Sequence, residues 1–438
     1  MGLSKKPYRG TRDFFPADKR LRDYLFESMS KTAESFGLEP YDGPLVEEVE
    51  LYKAKSGEEL INDQIYSFHD RGERFVAIRP EMTPTLARMI AQVYRELPKP
   101  IRWYSIPNLM RYEKPQKGRL REHWQFNCDI FGAPELLGEL EVLGVLVALF
   151  ENLGANSSHF EILINDKKIV EGLLQNKLEL SAEKTNAIYK IIDRSKKVTP
   201  EALDKMLAEQ DLNSEQDKIL REYLKINEFE ELAKKFVTWG LQDLTNHMLG
   251  FVELCREYGL SEYLTYDPTI VRGLDYYTGI VFEAFDKNPE NRRALCGGGS
   301  YGGLMQIFGE QPLPGVGFGL GDVTLTDFLK THQLLPDFST AHNDIFLTYQ
   351  TPAGQSPCLQ LARELRKRGL KVITGLSPLK IKKVFDLGSK HGASYVSLLG
   401  EREIETGSVE IKNLTTKEQH KLKLDDYKNI QSLIRNKL

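Results

Sequence analysis

The chain has 438 residues, 41% of them hydrophobic and 28% charged, with a formal net charge of −4. That is the balance of a globular protein long enough to bury a core without disulfide staples. Four scattered cysteines, Cys128, Cys255, Cys296 and Cys358, exclude a structural zinc site of ordinary spacing and suit a reducing compartment. No apolar run follows the N-terminal lysines, so no signal peptide is expected, and the longest apolar run (142–150) is far too short for a membrane span.

Residues 18–36 place Leu21, Tyr24, Leu25 and Met29 at helical intervals, with Gly37 as the stop. A strand is predicted over 74–78. Arg79-Pro-Glu-Met-Thr follows it, and a helix starts near Pro84. Glu81 and Thr83 suit either an ammonium ligand or, the better reading in isolation, a cap for that helix. Strands are predicted over 101–106 and 124–131. Between them Arg111, Arg119 and Arg121 bracket a Pro-Gln-Lys-Gly turn, an arrangement that suits a polyphosphate because guanidinium offers planar, bidentate donors. The following strand alternates. His123, Gln125, Asn127 and Asp129 share one face, and Trp124, Phe126 and Cys128 the other. A polar row on a central strand needs partners, which water, a loop or a polar substrate can supply.

A helix over 135–153 and a strand over 160–164 come next. From 167 to 260 the chain is rich in Leu, Lys and Glu and reads as a self-contained helical insert. Strand texture returns at 264–285. There Arg272 and Asp275 suit an ion pair, and Tyr276 or Tyr277 suits the core, as well as they suit a site. Residues 297–302 match GxGxxG, with Asp322 twenty residues beyond Gly302. A dinucleotide fingerprint needs strand, helix and strand in succession. Pro312 and Pro314 interrupt that path, so the glycines are read as allowing close approach to the backbone.

Residues 331–342 read as a linker. Beyond it, strands over 344–348, 371–374 and 395–399 alternate with helices over 356–368 and 380–391, an α/β unit. Residues 343–438 carry 17 Lys/Arg against 10 Asp/Glu, a net of +7, which leaves −11 on the rest. A basic end on an acidic body suggests a polyanionic partner. Candidate contacts are Arg363, Arg366, Lys367 and Arg368 on one helix, with Lys380, Lys382 and Lys383 on the next.

These pieces occur in one order: Arg9-Gly-Thr-Arg-Asp-Phe-Phe-Pro16, Arg79-Pro-Glu-Met-Thr83, the 111–132 segment, Arg272-Gly-Leu-Asp-Tyr-Tyr-Thr-Gly279, then a Gly-rich strand. Over nearly the whole chain this closely resembles histidyl-tRNA synthetase, a class II aminoacyl-tRNA synthetase. The resemblance implies an α+β fold with a six-stranded antiparallel catalytic sheet in two parts (1–166 and 261–330), a helical insertion (167–260) and a C-terminal α/β anticodon-binding domain (343–438). It also implies a cytoplasmic homodimer, with Pro44 at the dimer interface, acting on L-histidine, ATP with accompanying Mg²⁺, and tRNA(His). No resident metal site is implied.

Carried over by motif, Glu81 and Thr83 hold the histidine α-amino group. Gln125, Asp129 and Tyr277 line its pocket, with Tyr276 and Tyr301 beside them. Arg111 holds the carboxylate and α-phosphate region, and Arg272 faces the α-phosphate opposite it. Glu113 meets the adenine side and Arg119 the β- and γ-phosphates. His123 stands where the family has an adenine-stacking phenylalanine. Two departures follow. Ser300 and Gly302 replace a common Arg and Asp, and Thr324 stands where the third class motif ends in an ATP-binding arginine. A second reading is a non-catalytic relative resembling the regulatory subunit of ATP phosphoribosyltransferase. Such subunits usually lack the anticodon-binding domain.

Overall fold

A computed structural model describes residues 3–53, 63–271, 277–338 and 343–435. The chain forms two compact units, Met1–Leu335 and Pro336–Leu438, divided inside the expected linker.

In the first unit, α1 (Pro16–Ser35) starts on a proline, whose fixed φ suits the first helical position. It buries Leu25, Met29 and Ala33 on one stripe, and Gly37, at φ +72°, ends it. After β1 (Glu39–Pro40), strands β2 (Val46–Glu48), β3 (Tyr66–His69) and β4 (Phe75–Ile78), with α2 (Val49–Lys53) between the first two, make a small antiparallel sheet ordered β2-β4-β3. Then come α3 (Thr83–Val93), β5 (Ile101–Ser105), β6 (Asn108–Met110), β7 (Glu122–Phe131), α4 (Leu137–Asn152) and β8 (Phe160–Asp166). The helical stretch follows as α5 (Lys167–Gly172), α6 (Ala182–Arg194), α7 (Pro200–Ala208), α8 (Ser214–Tyr223), α9 (Phe229–Trp239) and α10 (Gln242–Tyr258). The unit closes with β9 (Leu264–Tyr266), β10 (Tyr277–Asp286), β11 (Ala294–Tyr301), β12 (Gly315–Gly321) and α11 (Asp322–Thr331).

Strands β5, β7, β12, β11, β10 and β8 pair antiparallel in that order. This is the six-stranded sheet that the resemblance implied. β1 and β9 extend it in parallel at its two edges, and β6 pairs with β7. One face is sealed by α4, which is apolar almost all round because it is buried almost all round, with Val142, Leu143, Val145 and Leu146 inaccessible. The helical stretch is docked on the same core. Ile188, Leu220, Phe236 and Met248 join the cluster that holds Phe126, Ile130 and Phe318, and the Tyr266 hydroxyl reaches Tyr223 and Asn165. Side chains cap its helices: Ser181 on α6, Thr199 on α7, and a full capping box from Asn213 on α8.

The second unit contains β13 (Asn343–Tyr349), α12 (Gln355–Lys367), β14 (Val372–Thr374), α13 (Ile381–Lys390), β15 (Ala393–Leu399), α14 (Glu401–Glu405), β16 (Ser408–Asn413), β17 (Gln419–Lys423) and α15 (Tyr427–Arg435). Its sheet runs β14-β13-β15-β16-β17, parallel across the first three and antiparallel beyond. β13 shows why both faces carry helices. Ile345, Leu347 and Tyr349 pack toward α12 and α15, while Phe346 packs toward α13.

Candidate active site

The sheet face opposite α4 carries the polar row of β7. Gln125, Asn127 and Asp129 line a cavity of about 100 Å³ with Glu81, Thr83, Arg111, Tyr277 and Tyr301, while Phe126, Cys128 and Ile130 point into the core. The glycines of β12 make the space. Gly315, Gly317 and Gly319 alternate with Val316, Phe318 and Leu320, so all three share one face of the strand, and Gly317 and Gly319 line the cavity. A Cβ on Gly315 would lie 2.4 Å from the Tyr301 ring. One on Gly317 would lie 2.2 Å from Asp129 Oδ1, and one on Gly319 2.2 Å from Gln125 Nε2. The strand is therefore a bare floor across which neighbouring side chains lie flat.

Asp129 is buried and accepts a short hydrogen bond from the Tyr301 hydroxyl. Burial pushes its carboxyl up from the ordinary 3.8 to about 7, against the Tyr301 hydrogen bond, which favours the ionised form. A raised carboxyl pKa means that the folded chain holds a proton which the unfolded chain loses near pH 4. The associated stability is full below that pH and is lost as pH rises through about 7. Asp129→Asn mimics the neutral acid. Its melting temperature should exceed the parent's by a margin that grows from pH 5 to pH 7 and levels off above. A margin unchanged across that range would contradict the assignment.

A second compartment, of about 110 Å³, adjoins the first through Arg111, which lines both. Glu113, Gly118, Arg119, Leu120, His123, Gly321, Val323 and Thr324 complete it. The Arg111 Nε donates to Pro80 O at 2.8 Å, which fixes the guanidinium at the junction. Glu113 is buried and ion-paired with Arg119. Burial, then Arg111, Arg12 and Arg119, drive the His123 pKa down to about 3, so its ring is neutral at physiological pH and presents an uncharged π-face. The N-terminus of α11 opens on the same compartment, a favourable end for an anion.

Several expectations change. Neither Glu81 nor Thr83 is the N-cap residue of α3. Its N-cap is Met82, which has no side-chain cap bond, and both residues line the first cavity instead. The GxGxxG match runs along antiparallel β11 and ends one residue beyond it, at Gly302, and Asp322 is the first residue of α11, where it accepts from Arg12 Nη2 at 2.7 Å and the Trp124 amide at 2.9 Å. Ser300 and Gly302 face away from the polar row. Ser300 donates to buried Glu139 at 2.6 Å, and both residues line a separate cavity of about 390 Å³ behind the sheet. Arg272 and Tyr276 lie outside the described residues. Sequence reading left out Asn127 as a lining residue, although its alternation with Gln125 and Asp129 signals it. It also missed the clamp of Arg12 on Asp322, which no local signal marks.

In the second unit, part of the basic surface is structural. Arg366 donates to Val372 O at 2.8 Å, Arg368 to Glu364 O at 2.8 Å, and Lys367 pairs with Glu364 at 2.7 Å. Arg363, Lys380, Lys382 and Lys383 stand exposed, and exposed Leu376 and Ile381 flank the lysines.

Residues 10–323 match the family model described as histidyl-tRNA synthetase, and residues 347–431 match that of an anticodon binding domain. The chain is 41% identical over 418 residues to the histidine–tRNA ligase of Leptospira biflexa, covering 95% of each chain. It is 34% identical over 424 residues to the chloroplastic/mitochondrial histidine–tRNA ligase of Arabidopsis thaliana, covering 97% of this chain and 86% of that one. Among solved structures, the fold matches the histidyl-tRNA synthetase of Nostoc sp. PCC 7120 with a TM-score of 0.84 and 24% identity, covering 100% of both chains.

Proposed function

The chain belongs to the histidyl-tRNA synthetase family, and from that premise we propose how its residues divide the reaction. It is an aminoacyl-tRNA synthetase that activates L-histidine with ATP and transfers it to the 3′ end of tRNA(His). The observation that carries the assignment of roles is Arg111, shared by the walls of two adjoining compartments. An adenylating enzyme must bring an amino-acid carboxylate against the α-phosphate of ATP, and one fixed guanidinium at that junction serves both.

In this reading Glu81 and Thr83 receive the α-amino group of histidine. Gln125, Asp129, Tyr277 and Tyr301 surround its imidazole, with Tyr276 beside them. Glu113 and His123 take the adenine side, and Arg119 turns from Glu113 to the β- and γ-phosphates. A carboxylate oxygen forms a bond to the α-phosphorus, and the bond from that phosphorus to pyrophosphate breaks. Arg111, with Arg272 proposed opposite it, meets the charge that builds on the equatorial oxygens without reorganising. The terminal ribose hydroxyl of tRNA then attacks the acyl carbon, and AMP leaves. Mg²⁺ would arrive on the ATP phosphates and neutralise their charge. Among the described residues, no three His, Cys, Asp or Glu side chains converge as a metal cage.

A homodimer is supported by exposed apolar side chains on and beside the small sheet, Leu45, Val46, Phe68 and Phe75, next to Pro44. Such a patch suits a partner surface. Cytoplasmic location fits the four buried free thiols, and no described helix is long and apolar enough to cross a membrane. The regulatory-subunit reading is not favoured, because the chain carries the anticodon-binding match.

Single-stranded loops of RNA are bound through phosphates and splayed bases, and the Lys380–Lys383 corner with Leu376 offers cations beside apolar surface. Changing Lys380, Lys382 and Lys383 together to alanine should weaken tRNA charging and flatten the slope of log KM for tRNA against log salt by roughly 2. Histidine-dependent exchange of pyrophosphate into ATP should be unchanged. An unaltered salt slope would move the RNA contact elsewhere.

A further inference from the structure

Resting on the nucleotide assignment above, we infer that Arg293 is a further ATP-binding residue, holding the terminal phosphates from the turn between β10 and β11. The compartment around Arg111, Glu113, Arg119 and His123 encloses about 110 Å³. Small-molecule sites typically span about 300–1,000 Å³, so a nucleoside triphosphate needs adjoining space. A second cavity, of about 190 Å³, supplies it, and the two share Gly118 and Thr324 as common wall. Three cations line that second cavity, Lys117, Arg292 and Arg293, against two carboxylates, Glu290 and Asp327. Lys117 and Arg292 are exposed, whereas Arg293 is half-buried.

The backbone here is shaped around Arg293. Gly118 has φ +71°, and a Cβ on it would lie 3.0 Å from Arg293 Cδ and 3.6 Å from Thr324 Cγ2. A residue without a side chain, in a conformation that favours glycine, lets the arginine stem pass against the loop that carries Arg111 and Arg119. The Thr324 hydroxyl is engaged with Leu295 O at 3.2 Å and Gly321 O at 3.1 Å, and its methyl faces the same spot. Thr324 therefore contributes packing rather than charge, and the cation at this end of the groove comes from the turn before β11. The Arg293 stem passes along the wall that the two cavities share, and a guanidinium offers phosphate planar, bidentate donors. The absence of an arginine at position 324 on α11 is thus offset from the turn before β11, within the same groove.

The test uses full-length protein and Arg293→Gln, which keeps the stem to Cδ and removes the charge. The KM for ATP in histidine-dependent pyrophosphate exchange should rise about tenfold or more, the scale of one hydrogen bond to a charged group. The KM for histidine should hold. Inhibition by AMP, which lacks the β- and γ-phosphates, should also hold, and Arg293→Lys should recover part of the loss. Arg119→Ala is the control for the underlying assignment. If it raises the KM for ATP while Arg293→Gln leaves it unchanged, the inference is overturned and the nucleotide site stands. If neither variant changes it, the nucleotide assignment itself is wrong. Equal weakening of ATP and AMP by Arg293→Gln would make the arginine a support of the fold and would also overturn the inference.

Discussion

Arg111→Ala is expected to lower the single-turnover rate of histidyl-adenylate formation by about 10²–10³-fold, the scale of removing one fixed donor from a developing oxyanion. The side chain lines both compartments, and its Nε is tied to Pro80 O at 2.8 Å. The guanidinium is therefore already in place when charge moves from the carboxylate onto the α-phosphate oxygens. An interaction that strengthens toward the transition state shows in turnover more than in binding. Hence the KM for either substrate should change much less than the rate. Arg111→Lys should restore little, because a point charge lacks the planar fork that reaches two groups at once. A near-normal rate for the alanine variant, with folding intact, would remove Arg111 from the reaction. The same logic extends to Arg272, proposed opposite it.

Gly317→Ala should be nearly as damaging, for a steric reason. The added methyl would sit 2.2 Å from Asp129 Oδ1 and 2.6 Å from the Cys128 carbonyl oxygen. The carbonyl belongs to the paired strand β7 and cannot retreat without breaking the ladder. The carboxylate must therefore swing, and with it the group proposed to read the imidazole. A displacement of about 1 Å at a reacting or reading group costs about 10²-fold. The KM for histidine should rise on that scale while the KM for ATP changes little. Overpacking should also cost about 1–3 kcal/mol of stability, so a melting curve belongs beside the kinetics. Asp129→Ala isolates the reading role from the packing. It should also raise the histidine requirement more than the ATP requirement, and equal effects on both would contradict the pocket assignment.

What the sequence discloses and what it hides separate along physical lines. The two-residue alternation from His123 to Asp129 survives in the structure as polar front and apolar back, because a strand's side chains must alternate. The glycine run 315–321 is legible as close approach. Which side chain approaches is not, because register pairs Gly317 with Asp129 across nearly two hundred residues. The Glu81–Thr83 pair misleads in isolation. Carboxylates and hydroxyls at a helix start usually cap, and only the fold shows them turned to the cavity. Ser300 is a departure by motif, yet it faces Glu139 on the sealed side of the sheet. Short β16 and β17 went unread because polar residues make up most of each, and strand propensity there depends on the neighbouring strand rather than on local pattern.

Histidine-dependent exchange of labelled pyrophosphate into ATP tests the whole arrangement most directly. It requires both compartments, their junction and the reversal of adenylate formation, and it requires no RNA. The structure predicts exchange that starts on adding L-histidine, is absent with other amino acids, and is lost in Arg111→Ala. Folded full-length protein that binds histidine but catalyses no exchange would contradict the assignment of these residues to activation, and would return the chain to the regulatory reading.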